Sequence, residues 1–390
     1  MISGKILTMK ILYITSTTEL HGSTFSLLSL LDGVIANGDT PFVVVPNTDG
    51  PLCKILQKKS IQYFEIPLTF FCYPKIQPHA KIHFLLDIKK MLITEYKAEN
   101  EILKISSRIK PDLIHTNVGP IITGHFAAKK IKIPHIWHIR EYGDLDFKMN
   151  MFPCKKFYRT CFSKDYTIAI TKDIQQYKHL ENSNKSTVVY NGVCQISGAT
   201  YIEQKDPYFL SASRVSPEKN IDEIIKAFSK FHKNHPNYKL KILGDGPQEY
   251  LTKLKTLRTE LNCTDSVHFE GFKEDVFSYM QKAKALIVAS PAEGFGRMTA
   301  EAIFAGSIAI GKNAGGTKEI IELAGGFLYS SEKELIAHME KVAYMAEKDY
   351  HTLVCQSQQK AKELFSKEQY IQNIYQVYKN ALKEKSHVHG

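Results

Sequence analysis

Nowhere does the chain run apolar for the ~18 residues that a membrane-crossing helix needs. Its seven cysteines (Cys53, Cys72, Cys154, Cys161, Cys194, Cys263 and Cys355) include no C-x-x-C pair and no His-flanked cluster. That excludes the usual zinc and disulfide frameworks and points to a reducing cytoplasm. Met1 to Lys10 lacks the apolar core and cleavage site of a secretory signal, so a cytoplasmic protein is expected. Low-complexity tracts are absent too, which removes fibrous and disordered classes. Acidic residues are in deficit: 40 Asp and Glu against 51 Lys and Arg leave a net charge of +11. An anionic partner follows, either phosphorylated substrates or an anionic membrane surface, lying on the inner face of the cell membrane. Nucleic acid is not expected, because no nucleic-acid-binding motif is present.

What the sequence does have is a long alternation of short β-branched runs and helical patterns, the mark of a parallel α/β architecture. The first series of strands is read at 10–16, 41–46, 61–66, 112–117, 134–139, 166–171 and 187–191. The second is read at 208–213, 239–244, 267–272, 285–290 and 308–313. Most are continuous apolar runs, as strands covered on both faces should be. With 390 residues there is material for two cores. The polar segment Gln195–Asp206 reads as a linker, so the expected domains are 9–195 and 206–365. Each is a doubly wound, Rossmann-like sheet, the two facing a cleft, with ligands at the carboxyl ends of the strands.

The residues just past those strand ends carry the chemistry. After ALIVAS comes EGFGRMTAEAIFAG, Glu293 to Gly306. Gly294 and Gly296 let the backbone approach a ligand closely, and the helix that follows presents free N–H groups suited to a phosphate. Glu293 precedes that helix and Glu301 lies one turn inside it, so two carboxylates stand ready for hydroxyls at opposite ends of one molecule. After YFLSAS come Arg214 and, five positions on, Lys219. A guanidinium fork and an ammonium together suit a diphosphate. GDGP (244–247), GFKED (271–275) and the Gly315–Gly316 pair follow other strands on the same side. Taken singly, each of these features also reads as an ordinary turn or a solvated charge.

Together they resemble retaining glycosyltransferase family 4 of the GT-B fold, the glycosyl transferases group 1. R-V-x-x-x-K at 214–219 and E-G-F-G with a second glutamate eight positions on carry the resemblance. His21–Gly22, WHIRE (137–141), VVYNGV (188–193), GDGP, G-G-x-x-E (315–319) and a C-terminal helix over 366–390, expected to cross back to the N-terminal domain, extend it over most of the chain. The resemblance implies that Arg214 and Lys219 bind the donor diphosphate and that Glu293 contacts sugar hydroxyls. Gly294 shapes the loop; Phe295, Gly296 and Arg297 offer backbone amides to the sugar and phosphate. Glu301 holds the ribose hydroxyls, and Gly271 and Phe272 line the base pocket. Gly22 lets the first loop approach the phosphates, and His138 faces the donor sugar across the cleft. Two departures stand out: one glycine after His21 where many members have two, and Arg297 where leucine is common.

The implied reaction is a retaining transfer from a nucleotide-diphosphate sugar, expected to be a UDP-sugar, to a glycan or lipid-linked acceptor in cell-surface polysaccharide synthesis. Arg214, Lys219 and the helix N-terminus would stabilise the departing diphosphate. Glu293 holds hydroxyls and does not attack, so front-face substitution is expected, with His138 orienting the sugar or stabilising the charge on its ring. No metal or other cofactor is expected. The acceptor is assigned to the N-terminal domain, where 69–92 and 147–162 combine aromatics with lysine, with Lys75, His79 and His83 nearby. A nucleotide-sugar epimerase on the same fold and a catalytically silent nucleotide-sugar-binding subunit are the alternatives.

Overall fold

The computed structural model describes residues 8–74, 81–146 and 148–388, with side chains of 81–83 and 385–388 left aside. Lys75, His79, Phe147 and the His83 side chain therefore lie outside the described residues. The chain forms two compact units: the residues up to Tyr190 joined by those from Tyr370 onward, and Asn191–Gln369.

In the first unit the strands are β1 (Lys10–Ile14), β2 (Thr40–Val45), β3 (Gln62–Glu65), β4 (Cys72–Pro74), β5 (Leu113–Thr116), β6 (His135–Ile139), β7 (Met149–Met151), β8 (Tyr166–Ala169) and β9 (Ser186–Val188). The helices are α1 (Gly22–Ala36), α2 (Pro51–Lys58), α3 (Lys81–Ile109), α4 (Thr123–Ile131), α5 (Lys155–Phe162) and α6 (Lys172–Tyr177). Seven strands make one parallel sheet in the order β3-β2-β1-β5-β6-β8-β9. Successive side chains of β1 enter opposite cores: Ile11 and Tyr13 pack on one face, Leu12 and Ile14 on the other. That is why this strand reads as an unbroken apolar run.

The second unit holds β10 (Tyr208–Ala212), β11 (Lys239–Leu243), β12 (Val267–Gly271), β13 (Ala285–Val288), β14 (Ile308–Lys312) and β15 (Phe327–Tyr329). Its helices are α7 (Ile221–His232), α8 (Gln248–Glu260), α9 (Val276–Lys282), α10 (Arg297–Phe304), α11 (Gly315–Ala324), α12 (Glu332–Tyr344) and α13 (Glu347–Phe365). The strand order is β12-β11-β10-β13-β14-β15, again parallel. Helix α7 buries Ile221, Ile224, Ile225, Phe228 and Phe231, a helical stripe that covers one face of this sheet. The last helix, α14 (Lys367–Val388), starts in the second unit; from Tyr370 on it belongs to the first, where Tyr370, Ile374, Val377, Tyr378 and Ala381 enter the core.

All twelve expected strands are present. The sequence reading lacks β15 and the antiparallel pair β4–β7, each three residues long and therefore too short to show a period. The expected linker Gln195–Asp206 is instead held on the second unit. Thr200 N–H donates to Phe304 O at 3.0 Å, and Asp206 N–H to Lys282 O at 2.9 Å. Its polarity reflects hydrogen bonding to neighbouring backbone, not freedom.

In each sheet the strand order reverses once, between β1 and β5 and between β10 and β13. A crevice opens beyond the carboxyl ends of the strands at such a switch point. The loops after β10 and β13 are those that carry Arg214, Lys219 and Glu293.

Candidate active site

The chain past β10 turns at Ser213–Ser216 and closes a single 3-10 turn at Pro217–Lys219. Val215 N–H donates to Asp245 O at 2.9 Å, and Gly244 N–H to Gly271 O at 2.8 Å. The loops after β10, β11 and β12 are thus laced together, which sets Gly271 beside GDGP and leaves the Phe272 ring 68% exposed.

Across the switch point, Lys219 Nζ stands 2.5 Å from Glu293 Oε1, with both side chains about four-fifths buried (23% and 21% exposed). The backbone of Glu293 is fixed as well, its carbonyl accepting from Gly316 N–H at 2.7 Å. Gly316 has to be glycine, since a Cβ there would lie 2.4 Å from Phe295 O. Gly296 precedes α10 with φ +84°, a left-handed backbone that favours glycine. Gly294 completes this loop. Phe295 points inward, 4% exposed and edge-on to Phe365, so only its backbone is offered to a ligand.

Arg214 pairs with Glu218 at 2.5 Å on the surface. An exposed pair of this kind is worth little and exchanges readily for a phosphate. Arg297 Nε lies 2.6 Å from Glu301 Oε1, and its Nη2 donates to Val193 O at 3.4 Å. Burial pushes the Glu301 carboxyl above its usual range, opposed by Arg297 and Lys367.

The first unit brings a second set together. Gly22 opens α1 with nothing within 4 Å of where a Cβ would stand. The next residue, Ser23, accepts from Asn117 Nδ2 at 3.3 Å, and Asn117 Oδ1 in turn accepts from Arg140 Nη2 at 2.8 Å. His138 lies wholly inside this unit, 0% exposed, because HIWHI is buried on both faces. Its Nδ1 is 3.2 Å from both His115 Nε2 and Arg140 Nη2. Burial and the Arg140 guanidinium hold both imidazoles well below their ordinary value, hence neutral. The side chain that β6 carries past its carboxyl end is that of Arg140. The signal for Arg140 in the motif WHIRE is its place as first residue after an apolar strand.

One group of metal-ligating residues stands among the described residues: His125, His135 and Asp165. Its atoms already satisfy one another. His125 Nδ1 and His135 Nδ1 lie 2.6 and 2.5 Å from Asp165 Oδ2, which also accepts from Trp137 Nε1 at 2.7 Å.

A family model for glycosyl transferases group 1 matches residues 195–359. That match lies in the second unit, and the chain is a glycosyltransferase. This glycosyltransferase is 26% identical over 262 residues to an uncharacterized glycosyltransferase of Methanocaldococcus jannaschii, covering 65% of this chain and 72% of that one. It is 26% identical over 290 residues to the alpha-monoglucosyldiacylglycerol synthase of Streptococcus pneumoniae, covering 66% and 65%. In structure it is similar to Anabaena HepE solved in complex with UDP: TM-score 0.79, 19% identity, 95% of this chain and all of that one. These likenesses place the glycosyltransferase in the GT-B fold, with two Rossmann-like units.

Proposed function

We propose that this glycosyltransferase is a retaining enzyme of family 4. In this reading it moves a sugar from a UDP-sugar to a glycan or lipid-linked acceptor in cell-surface polysaccharide synthesis, without a metal. The observation that carries the reading is the Lys219–Glu293 pair at the switch point of the second unit. It puts a cation for the diphosphate and a carboxylate for the sugar hydroxyls on adjacent loops. A diphosphate arriving at Lys219 and Arg214 displaces Glu293 and Glu218 from them, which releases Glu293 to accept from the sugar. As the glycosyl–phosphate bond breaks, negative charge grows on the leaving diphosphate, where Lys219, Arg214 and the first N–H groups of α10 are already oriented. Glu301 takes the ribose hydroxyls; Gly271 and Phe272 take the base. The leaving phosphate accepts the acceptor's proton on the face it departs from, so configuration is retained. In the first unit, neutral His138 accepts at Nδ1 from Arg140 and so fixes that guanidinium. The UDP in HepE supports the choice of base, and the diacylglycerol in the pneumococcal relative's name supports a lipid-linked acceptor.

A membrane surface is part of this reading. No helix among the described residues is long and apolar enough to cross a bilayer. Helix α3 nevertheless exposes Leu85, Leu86, Leu92, Ile93 and Tyr96, each at 45% or more, interleaved with exposed Lys89, Lys90 and Lys97. Apolar and basic side chains mixed on one helix face suit an anionic lipid surface. The stretch at 147–162 offers less, since Tyr158, Cys161 and Phe162 of α5 are buried.

The test is a thermal-shift panel of UDP-, GDP-, ADP- and CDP-sugars on wild type and Lys219→Ala, with and without EDTA. A UDP-sugar should raise the wild-type melting temperature, with or without EDTA, and leave the variant unmoved. Stabilisation by no nucleotide sugar, or an equal shift in both proteins, defeats the assignment; binding without turnover on any acceptor would mark a silent subunit.

A further inference from the structure

Position 297 opens α10 and its backbone faces the proposed phosphate site, which by itself asks nothing of the side chain. The arginine there nonetheless has a defined place. It reaches one turn along its own helix to Glu301, at 2.6 Å, and sideways to the Val193 carbonyl, at 3.4 Å. Both side chains are about four-fifths buried, at 20% and 19% exposed, so the pair is shielded from competing water and salt. We propose that the Arg297 side chain is a positioning residue for the nucleotide, its guanidinium holding the Glu301 carboxylate in one orientation to accept the ribose hydroxyls. This rests on the reading of Glu301 given above and extends it to the side chain that steers it.

Three physical points support the assignment. A glutamate on a helix keeps several rotamers open, and a bond from Nε to one oxygen removes most of them while leaving the second oxygen available to a ligand. A carboxylate nearly enclosed in protein is driven toward its neutral acid, which would donate where the site has to accept. Burial acts on Glu301 in that sense, and Arg297 is the largest influence against it. Finally, the Val193 carbonyl ties the guanidinium to the backbone at the start of the second unit, so Arg297 is itself held. The charged and titratable groups facing Glu301 are Arg297 on its own helix, Lys367 at the start of α14 and the Cys194 thiol. Lys367 alone would remain to oppose burial if Arg297 were removed.

The experiment titrates UDP and 2′,3′-dideoxy-UDP calorimetrically, at pH 6 and pH 8, into wild type, Arg297→Leu, Arg297→Lys, Glu301→Gln and the Arg297→Leu/Glu301→Gln double variant. Arg297→Leu should bind UDP roughly tenfold more weakly at pH 8, the usual effect of losing a charged hydrogen-bond partner. The loss should deepen at pH 6, because an unsupported Glu301 gains its proton at higher pH. Its affinity for dideoxy-UDP should match wild type, Arg297→Lys should recover part of the loss, and the double variant should be no weaker than Glu301→Gln. With a UDP-sugar, the donor KM should rise while kcat stays near wild type. Equal weakening toward both nucleotides would mean a structural role and overturn the proposal, as would wild-type UDP binding by Arg297→Leu at both pH values. If instead Glu301→Gln binds UDP as wild type does, or wild type binds the two nucleotides equally, the ribose reading of Glu301 falls and this inference with it.

Discussion

Lys219 and Glu293, 74 positions apart in sequence, meet at 2.5 Å across the strand reversal between β10 and β13. Without a donor, each is the other's counter-ion. The pair therefore predicts two different losses. Lys219→Ala removes a preoriented cation from the departing diphosphate, and turnover should fall by on the order of 10²–10³. Glu293→Gln frees Lys219 from its competitor, so UDP alone should bind at least as tightly as to wild type, while turnover on the UDP-sugar drops. Isothermal titration beside steady-state rates checks both. Weaker UDP binding by Glu293→Gln would count against the exchange of partners.

Asp165 gathers three donors on one oxygen, from α4 and from two positions of β6. Burial would raise its pKa, but His135 and His125 pull it down to about 2. A depressed carboxylate contributes stability above its unfolded value and loses it as the pH falls through about 2. His125 goes the other way: burial lowers it, yet the bonds to Asp165 carry it up to about 9. Its contribution is complete below the ordinary histidine value and is lost as the pH rises through about 9. Asp165→Asn should destabilise the first unit by about 3 kcal/mol at pH 7, as for a buried pair that loses one partner. Denaturant unfolding at pH 7 and pH 10 measures it, and the deficit should shrink at pH 10.

The two Rossmann-like cores and the loops that carry the candidate site were legible because buried parallel strands leave apolar runs, and glycines and charges mark their carboxyl ends. Lys219, Glu293 and Glu301 could be assigned to one edge from spacing alone. The pairing of Arg297 with Glu301 could not, since an i,i+4 spacing allows an ion pair without requiring one. His138 shows a second limit. A histidine near a strand end reads alike whether its ring faces solvent or the sheet, and here β6 continues one residue further, leaving Arg140 at the edge. The linker misled for a related reason: polarity marks exposed loops, but also loops whose backbone bonds to a neighbour, as at Thr200 and Asp206.

Glu95 carries a cost that a substitution can remove. It is 7% exposed on α3, accepts from Thr123 Oγ1 at 2.8 Å, and its Oε1 has no hydrogen-bond partner. Burial raises it to about 7, against the Thr123 bond and with help from Glu99. An acid whose folded value lies above its unfolded one holds an extra proton in the native state between the two. Stability therefore declines as the pH rises from about 4.5 to about 7 and stays reduced above. Glu95→Gln should raise the melting temperature at pH 8, by up to about 2 kcal/mol of stability, and change little at pH 5. An equal shift at both pH values would mean that packing, not ionisation, is responsible.

Helix α3 divides its surface sharply. Met91, Glu95, Ala98, Ile102 and Ile105 are buried, while Leu85, Leu86, Leu92, Ile93 and Tyr96 are exposed beside Lys89, Lys90 and Lys97. Lysines at an anionic surface contribute about 1 kcal/mol each, so reversing three should weaken attachment by well over tenfold. We expect wild type to sediment with vesicles containing phosphatidylglycerol, to stay in solution with phosphatidylcholine alone, and to be released by salt. Lys89→Glu/Lys90→Glu/Lys97→Glu should abolish sedimentation. Leu85→Ser/Leu86→Ser should weaken it without altering its salt dependence, because insertion and charge act separately. Lys253→Glu/Lys255→Glu/Lys282→Glu, on exposed positions of α8 and α9, makes the same change in net charge away from this face. If that control loses binding as fully as the α3 variant, overall charge and not this helix directs the protein to the lipid.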